Sequence, residues 1–134
     1  MSEEIDSLIK EISEKLQKRA EEFGKKGEDV TVVLNEENFD EIIKNNRLVL
    51  VDCWAEWCAP CHLYEPIYKK VAEKYKGKAV FGRLNVDENQ KIADQYSVLN
   101  IPTTLIFLNG KLVDNVVGAV DEDTLESVIK KYLE

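Results

Sequence analysis

The sequence predicts an α/β fold in which a central mixed β-sheet is covered by helices on both faces. Three observations carry this reading. From about residue 30, short strand-like apolar runs alternate with helix-periodic segments in the order β-α-β-α-β-α-β-β-α. Leu48–Trp54 is apolar throughout except at Asp52, the pattern of a strand covered on both faces. Asn109-Gly110 separates two further strand-like runs, and both residues tolerate the positive φ of a tight hairpin.

The elements follow in order. Ile5, Leu8, Ile9, Ile12, Leu16, Ala20 and Phe23 fall three or four apart, which predicts an amphipathic helix over about residues 2–23. Ser2 can cap it, and Gly24 and Gly27 among charged residues predict a turn or linker. The chain therefore divides into an N-terminal helical extension and linker, residues 1–29, and a domain over 30–134. The extension is expected to lay its apolar stripe on that domain and add stability. Within the domain, Val30–Leu34 reads as a strand, Glu36–Lys44 as a helix, and Leu48–Trp54 as the central strand. Pro60–Tyr75 reads as a long helix with a kink at Pro66, which cannot donate a backbone hydrogen bond. Ala79–Val86 is a predicted strand and Glu88–Tyr96 a short helix. Thr103–Leu108 and Lys111–Val117 form the hairpin, and a last helix begins at Asp121 or Asp123 and runs to Leu133.

Composition narrows the chemistry. A chain of 134 residues can bury a core without staples, and its net charge of −8 lacks the basic patch that nucleic acid or an anionic membrane would need. The start Met1-Ser2-Glu3-Glu4 is acidic, no signal peptide is expected, and no apolar run reaches membrane-spanning length. A cytoplasmic location is the expectation, where thiols are kept reduced. Three cysteines do not suit a structural disulfide framework, so a Cys-x-x-Cys pair there is redox-active or metal-binding.

Cys58 and Cys61, in Trp57-Cys58-Ala59-Pro60-Cys61, follow the central strand and open the next helix. Unpaired N–H groups and the helix dipole at that end favour an anionic sulfur. The thiolate of Cys58 can attack a disulfide, and Cys61, one turn later, can resolve the mixed disulfide. Pro60 suits the first helical turn, where its missing N–H costs nothing. The competing metal reading would draw on Cys53, Cys58, Cys61 and His62. Structural zinc prefers two separated ligand pairs, Cys53 should point to the other face of its strand, and no metal is expected.

The stretch Val51-Asp52-Cys53-Trp54-Ala55-Glu56-Trp57-Cys58-Ala59-Pro60-Cys61 closely resembles the active-site segment of the thioredoxin family, usually V-D-F-W-A-x-W-C-G-P-C. Pro66, Leu84-Asn85-Val86-Asp87, Ile101-Pro102-Thr103, Asn109-Gly110 and Val117-Gly118 extend the match over roughly residues 30–134. The resemblance implies the thioredoxin fold and a general protein-disulfide reductase with no bound cofactor. It implies disulfide-containing proteins as substrates and a separate thioredoxin reductase as the source of electrons.

The resemblance also implies roles for single residues. Asp52 would be the general acid/base for Cys61. On the residues alone, a lone carboxylate in an apolar strand must be paired or have a raised pKa, and Arg83 is a candidate partner. Arg83 stands where the family has Lys, and it cannot release a proton. The Ile101–Pro102 bond is expected to be cis. Trp57, Ala59, Pro60, Ile101, Pro102, Gly118 and Ala119 would form an apolar apron that grips substrate by backbone and shallow contact. Gly118 is expected to be glycine because a partner backbone or the cysteine loop comes close. Trp54 is expected in the core, Cys53 as a small buried apolar residue, and His62 as a pH-dependent charge where the family has Lys or Arg. An oxidase or isomerase of the same fold is disfavoured by Pro60 and by the missing signal peptide. A non-enzymatic binding module with a docking helix is the third reading.

Overall fold

The computed structural model describes residues 30–133. The predicted N-terminal helix over residues 2–23 and its linker lie outside the described residues. The elements are β1 (Thr31–Leu34), α1 (Phe39–Asn45), β2 (Leu48–Trp54), α2 (Ala59–Lys74), β3 (Val80–Asn85), α3 (Gln90–Gln95), β4 (Thr103–Leu108), β5 (Lys111–Val117) and α4 (Glu122–Tyr132). Every predicted element of the domain is present. The departures lie at the ends. Residues 36–38 form a turn held by the Asn35 and Asn38 side chains, so α1 starts at Phe39. Of the two candidate caps for α4, Asp121 is used: its Oδ1 accepts from the Thr124 N–H at 2.9 Å. Helix α2 continues as one element through Pro66.

The five strands lie in the order β1-β3-β2-β4-β5. β1 and β2 flank β3 in parallel, while β2–β4 and β4–β5 are antiparallel. β2 is therefore the central strand and is paired on both sides. Alternation along it sends residues to two separate apolar clusters. Leu48 and Leu50 pack with Tyr64, Tyr68 and Val71 of α2 and Leu125 and Ile129 of α4. Val49, Val51 and Cys53 pack with Phe39 and Ile43 of α1 and Ile92 of α3. Burying each large side chain of this kind stabilises by about 1.5–3 kcal/mol. Phe39, Tyr96 and Phe107 interlock through ring contacts of 5.1–5.6 Å in the second cluster.

Two consequences position the site. The alternation that buries Leu48 and Leu50 against α2 also aims Asp52 at that face, and it sends Cys53 to the other. Register then sets Asp52 beside Arg83 of β3 and Thr104 of β4. The end of β2 leads through Ala55–Trp57 directly into α2, so the cysteine pair sits where the central strand meets a helix amino terminus.

Candidate active site

Cys58 is the N-cap of α2, with extended backbone (φ −90°, ψ 102°), and Ala59 and Pro60 occupy its first two helical positions. The cap is made by sulfur: Cys58 Sγ accepts from the Cys61 N–H at 3.2 Å. The two cysteines are joined as a disulfide, with Cα atoms 5.3 Å apart. Both are buried, in a cluster with Ala55 against which Trp54, Val86 and Ile101 pack. No acidic residue occupies the first turn of α2. An anion forming on Cys58 would thus meet helix N–H groups with no nearby competitor on that turn.

Asp52 is completely buried. Its Oδ2 accepts from Arg83 Nε at 3.3 Å, and its Oδ1 has no hydrogen-bond donor among the described residues. Burial pushes this carboxyl up to about 6, against the pull of Arg83 and with a small push from the Glu65 charge. The pairing with Arg83 read from the sequence is thus present, and the raised pKa coexists with it. Arg83 is also held elsewhere. Its Nη1 donates to Glu65 Oε1 at 2.9 Å, and its Cζ lies 4.5 Å from the centroid of the Trp54 ring. Trp54 is half-buried and forms the platform for that cation. A cleft of about 980 Å³ lined by Trp54, Glu56, Lys69, Arg83, Asn85 and Glu88 opens beside it.

The remaining candidates fall into three places. Ile101–Pro102 is a cis peptide bond, as expected, and the Pro102 carbonyl accepts from the Gly118 N–H at 2.8 Å. That bond ties Gly118 to Pro102, next to Ile101, which packs on the cysteine cluster, and Ala119 beside them is exposed. The reason expected for Gly118 is corrected in part. A Cβ there would meet nothing within 4 Å, so no part of the described chain crowds it; its φ of +100° is what a side chain would oppose. Trp57 is 71% exposed, and its Nε1 donates to Asp87 Oδ2 at 2.8 Å. His62 is exposed, and its Nε2 lies 2.6 Å from the Glu56 carbonyl. A carbonyl only accepts, so that nitrogen carries a hydrogen. Cys53 is free and buried on the opposite face, where burial pushes its thiol far up and keeps it inert.

Sequence reasoning missed Glu65, Lys69 and Asp87. Glu65 and Lys69 had a visible signal, the four-residue spacing of a helical ion pair, here 2.9 Å. Asp87 sits in a stretch that contributed to the resemblance without a role. No group of three or more His, Cys, Asp or Glu side chains able to hold a metal occurs among the described residues. No helix among them is long and apolar enough to cross a membrane.

Comparison with known proteins agrees with this geometry. The thioredoxin family model matches residues 30–131. A thioredoxin of Chlorobaculum thiosulfatiphilum is 43% identical over 99 residues, spanning 73% of this chain and 92% of that protein. A chloroplastic M-type thioredoxin of Pisum sativum is 41% identical over 102 residues, covering 75% of this chain and 59% of its own length. Among solved structures, a mutant thioredoxin from Halobacterium salinarum superposes with a TM-score of 0.72 at 36% identity, covering 78% of this chain and 91% of that one.

Proposed function

The chain belongs to the thioredoxin family and is a thiol–disulfide oxidoreductase, and on that premise we propose how its residues divide the work. The observation that carries the proposal is a disulfide-bonded pair at the amino end of α2 whose first sulfur caps the helix. In the reduced protein, the Cys58 thiolate attacks one sulfur of a substrate disulfide. A Cys58–substrate disulfide forms and the first substrate thiolate leaves, to be protonated. Cys61 then gives its proton to the Asp52 carboxylate and attacks Cys58 Sγ. The Cys58–Cys61 disulfide forms and the second substrate thiolate leaves. Two electrons have passed to the substrate, and a thioredoxin reductase restores the dithiol. With its pKa near 6, Asp52 is mostly ionised at neutral pH and can take that proton.

Trp57, Ala59, Pro60, Ile101, Pro102, Gly118 and Ala119 hold the substrate chain beside the cysteines. Trp57 supports this role because most of its ring is exposed while Asp87 fixes its edge, so little side-chain freedom is lost on contact. His62 and Arg83 tune the charge around the pair. We assign the protein to a reducing compartment, the cytoplasm; a tagged protein found in a plastid, the place named for the pea relative, would reverse that.

The test is insulin reduction followed by turbidity, with single-cysteine variants. Cys58→Ser should lose all turnover and form no adduct. Cys61→Ser should accumulate a covalent mixed disulfide, seen as added mass and released by dithiothreitol. An adduct on Cys61 in the Cys58→Ser protein, with none on Cys58 in the reciprocal variant, would reverse the assignment of attacker and resolver.

A further inference from the structure

The Asp52–Arg83 pair is open on two sides. An arginine and a carboxylate ordinarily meet through two parallel N–H···O bonds. Here Arg83 gives Asp52 one contact, at 3.3 Å, and Asp52 Oδ1 and Arg83 Nη2 are both buried with no hydrogen-bond partner among the described residues. Two other groups fix the orientation of the guanidinium, so that its Nε–Nη2 edge does not close on both Asp52 oxygens. Glu65 takes Nη1 at 2.9 Å, shorter than the bond to Asp52, and the Trp54 ring lies under Cζ. The Arg83 side chain is only 13% exposed, so water screens this competition weakly.

The geometry points to Glu65 as a positioning residue: it divides the Arg83 guanidinium and so keeps Asp52 from being fully paired and permanently ionised. This rests on the proton-transfer role proposed for Asp52 and adds what sets that group's readiness. Glu65 itself is drawn towards its charged form. Burial pushes it up, but Lys69, Arg83 and His62 outweigh that and hold its carboxyl below the ordinary range. The groups that face Asp52 are few. Arg83 comes from β3 and Glu65 from α2. The Tyr64 hydroxyl is taken by Thr104 of β4 at 2.8 Å, and the Tyr68 hydroxyl by the Gly82 and Leu50 carbonyls at 2.8 and 3.1 Å. Cys53 is the neighbour on its own strand. Of these, Glu65 alone combines a negative charge with a hold on Arg83; the same Oε1 also takes Lys69 Nζ at 2.9 Å. Removing Glu65 deletes a repulsive charge and releases the guanidinium at Nη1, so that the Nε–Nη2 edge facing Asp52 can turn onto both carboxylate oxygens. Both changes favour the ionised carboxylate.

The experiment is carboxyl NMR titration of Asp52 in the oxidised protein, which needs no turnover, alongside the pH dependence of insulin reduction. Glu65→Gln should lower the Asp52 midpoint by roughly half a pH unit. Glu65→Ala, which also removes the acceptor, should lower it by at least as much. In an Arg83→Met background the effect of Glu65→Gln should fall to less than half. An Asp52 midpoint that stays put or rises in Glu65→Gln and Glu65→Ala overturns the inference, even where Asp52→Asn still slows the reaction. A midpoint that falls while the pH–rate profile stays fixed supports the inference and instead overturns the proton-transfer role of Asp52.

Discussion

Replacing Asp52 by Asn should stabilise the protein by an amount that grows as pH rises from about 4 and is complete above about pH 6. The folded carboxyl titrates near 6, against 3.8 for an unburied aspartate. Because the folded value is the higher one, the native state keeps its proton after the unfolded chain has released its own. Unfolding stability is then fully retained below pH 3.8, falls as pH rises through the window, and is lowest above 6. The two pH units convert at about 1.4 kcal/mol each to about 3 kcal/mol. Asn cannot ionise and escapes this penalty. It leaves Arg83 without a carboxylate on that side, which returns about 1 kcal/mol, since Glu65 and Trp54 still hold the cation. The expected gain is about 2 kcal/mol at pH 8 and close to none at pH 4. The assay is guanidinium unfolding of the oxidised parent and variant at both pH values. A difference that is the same at pH 4 and pH 8, or a variant less stable at pH 8, would refute the linkage. The same variant should reduce insulin more slowly near neutral pH, and an unchanged pH–rate profile would count against an acid/base role.

Two other substitutions test the scaffold. A Cβ at Gly82 would overlap the Leu34 side chain, lying 2.8 Å from its Cγ. Gly82→Ala should therefore cost about 1–3 kcal/mol in denaturant unfolding, with turnover per folded molecule unchanged. Gly118→Ala should cost about 1–3 kcal/mol although space is free around it, because φ +100° opposes any side chain. A neutral Gly118→Ala would mean that the loop relaxes its backbone at no expense.

What could be read in advance followed from period and local chemistry. The apolar run at Leu48–Trp54, the Asn109-Gly110 turn and the cysteines after the central strand each carry their own signal within a few residues. Strand alternation alone separates Asp52 from Cys53, and the two faces observed are the two expected. The connections between distant elements were less legible. The pairing of Arg83 with Asp52 is legible because each is a lone charge in an apolar strand. Glu65 carries no such signal, because its meeting with Arg83 depends on how α2 lies across the parallel β2–β3 register. The Trp57–Asp87 bond likewise joins two loops that only the fold brings together. At Gly118 the described chain leaves room for a side chain, so within the fold it is the backbone angle that accounts for the glycine.

The first turn of α2 carries no carboxylate, and its cap is a sulfur that changes charge during the reaction. Oxidation neutralises that sulfur and leaves the positive end of the helix facing an uncharged disulfide, whereas reduction supplies the anion it favours. The helix therefore acts as a bias on electron flow. A charge–dipole interaction of about 0.3–1 kcal/mol raises the reduction potential of the pair. At 30 mV for every 1.4 kcal/mol, that is roughly 6–20 mV.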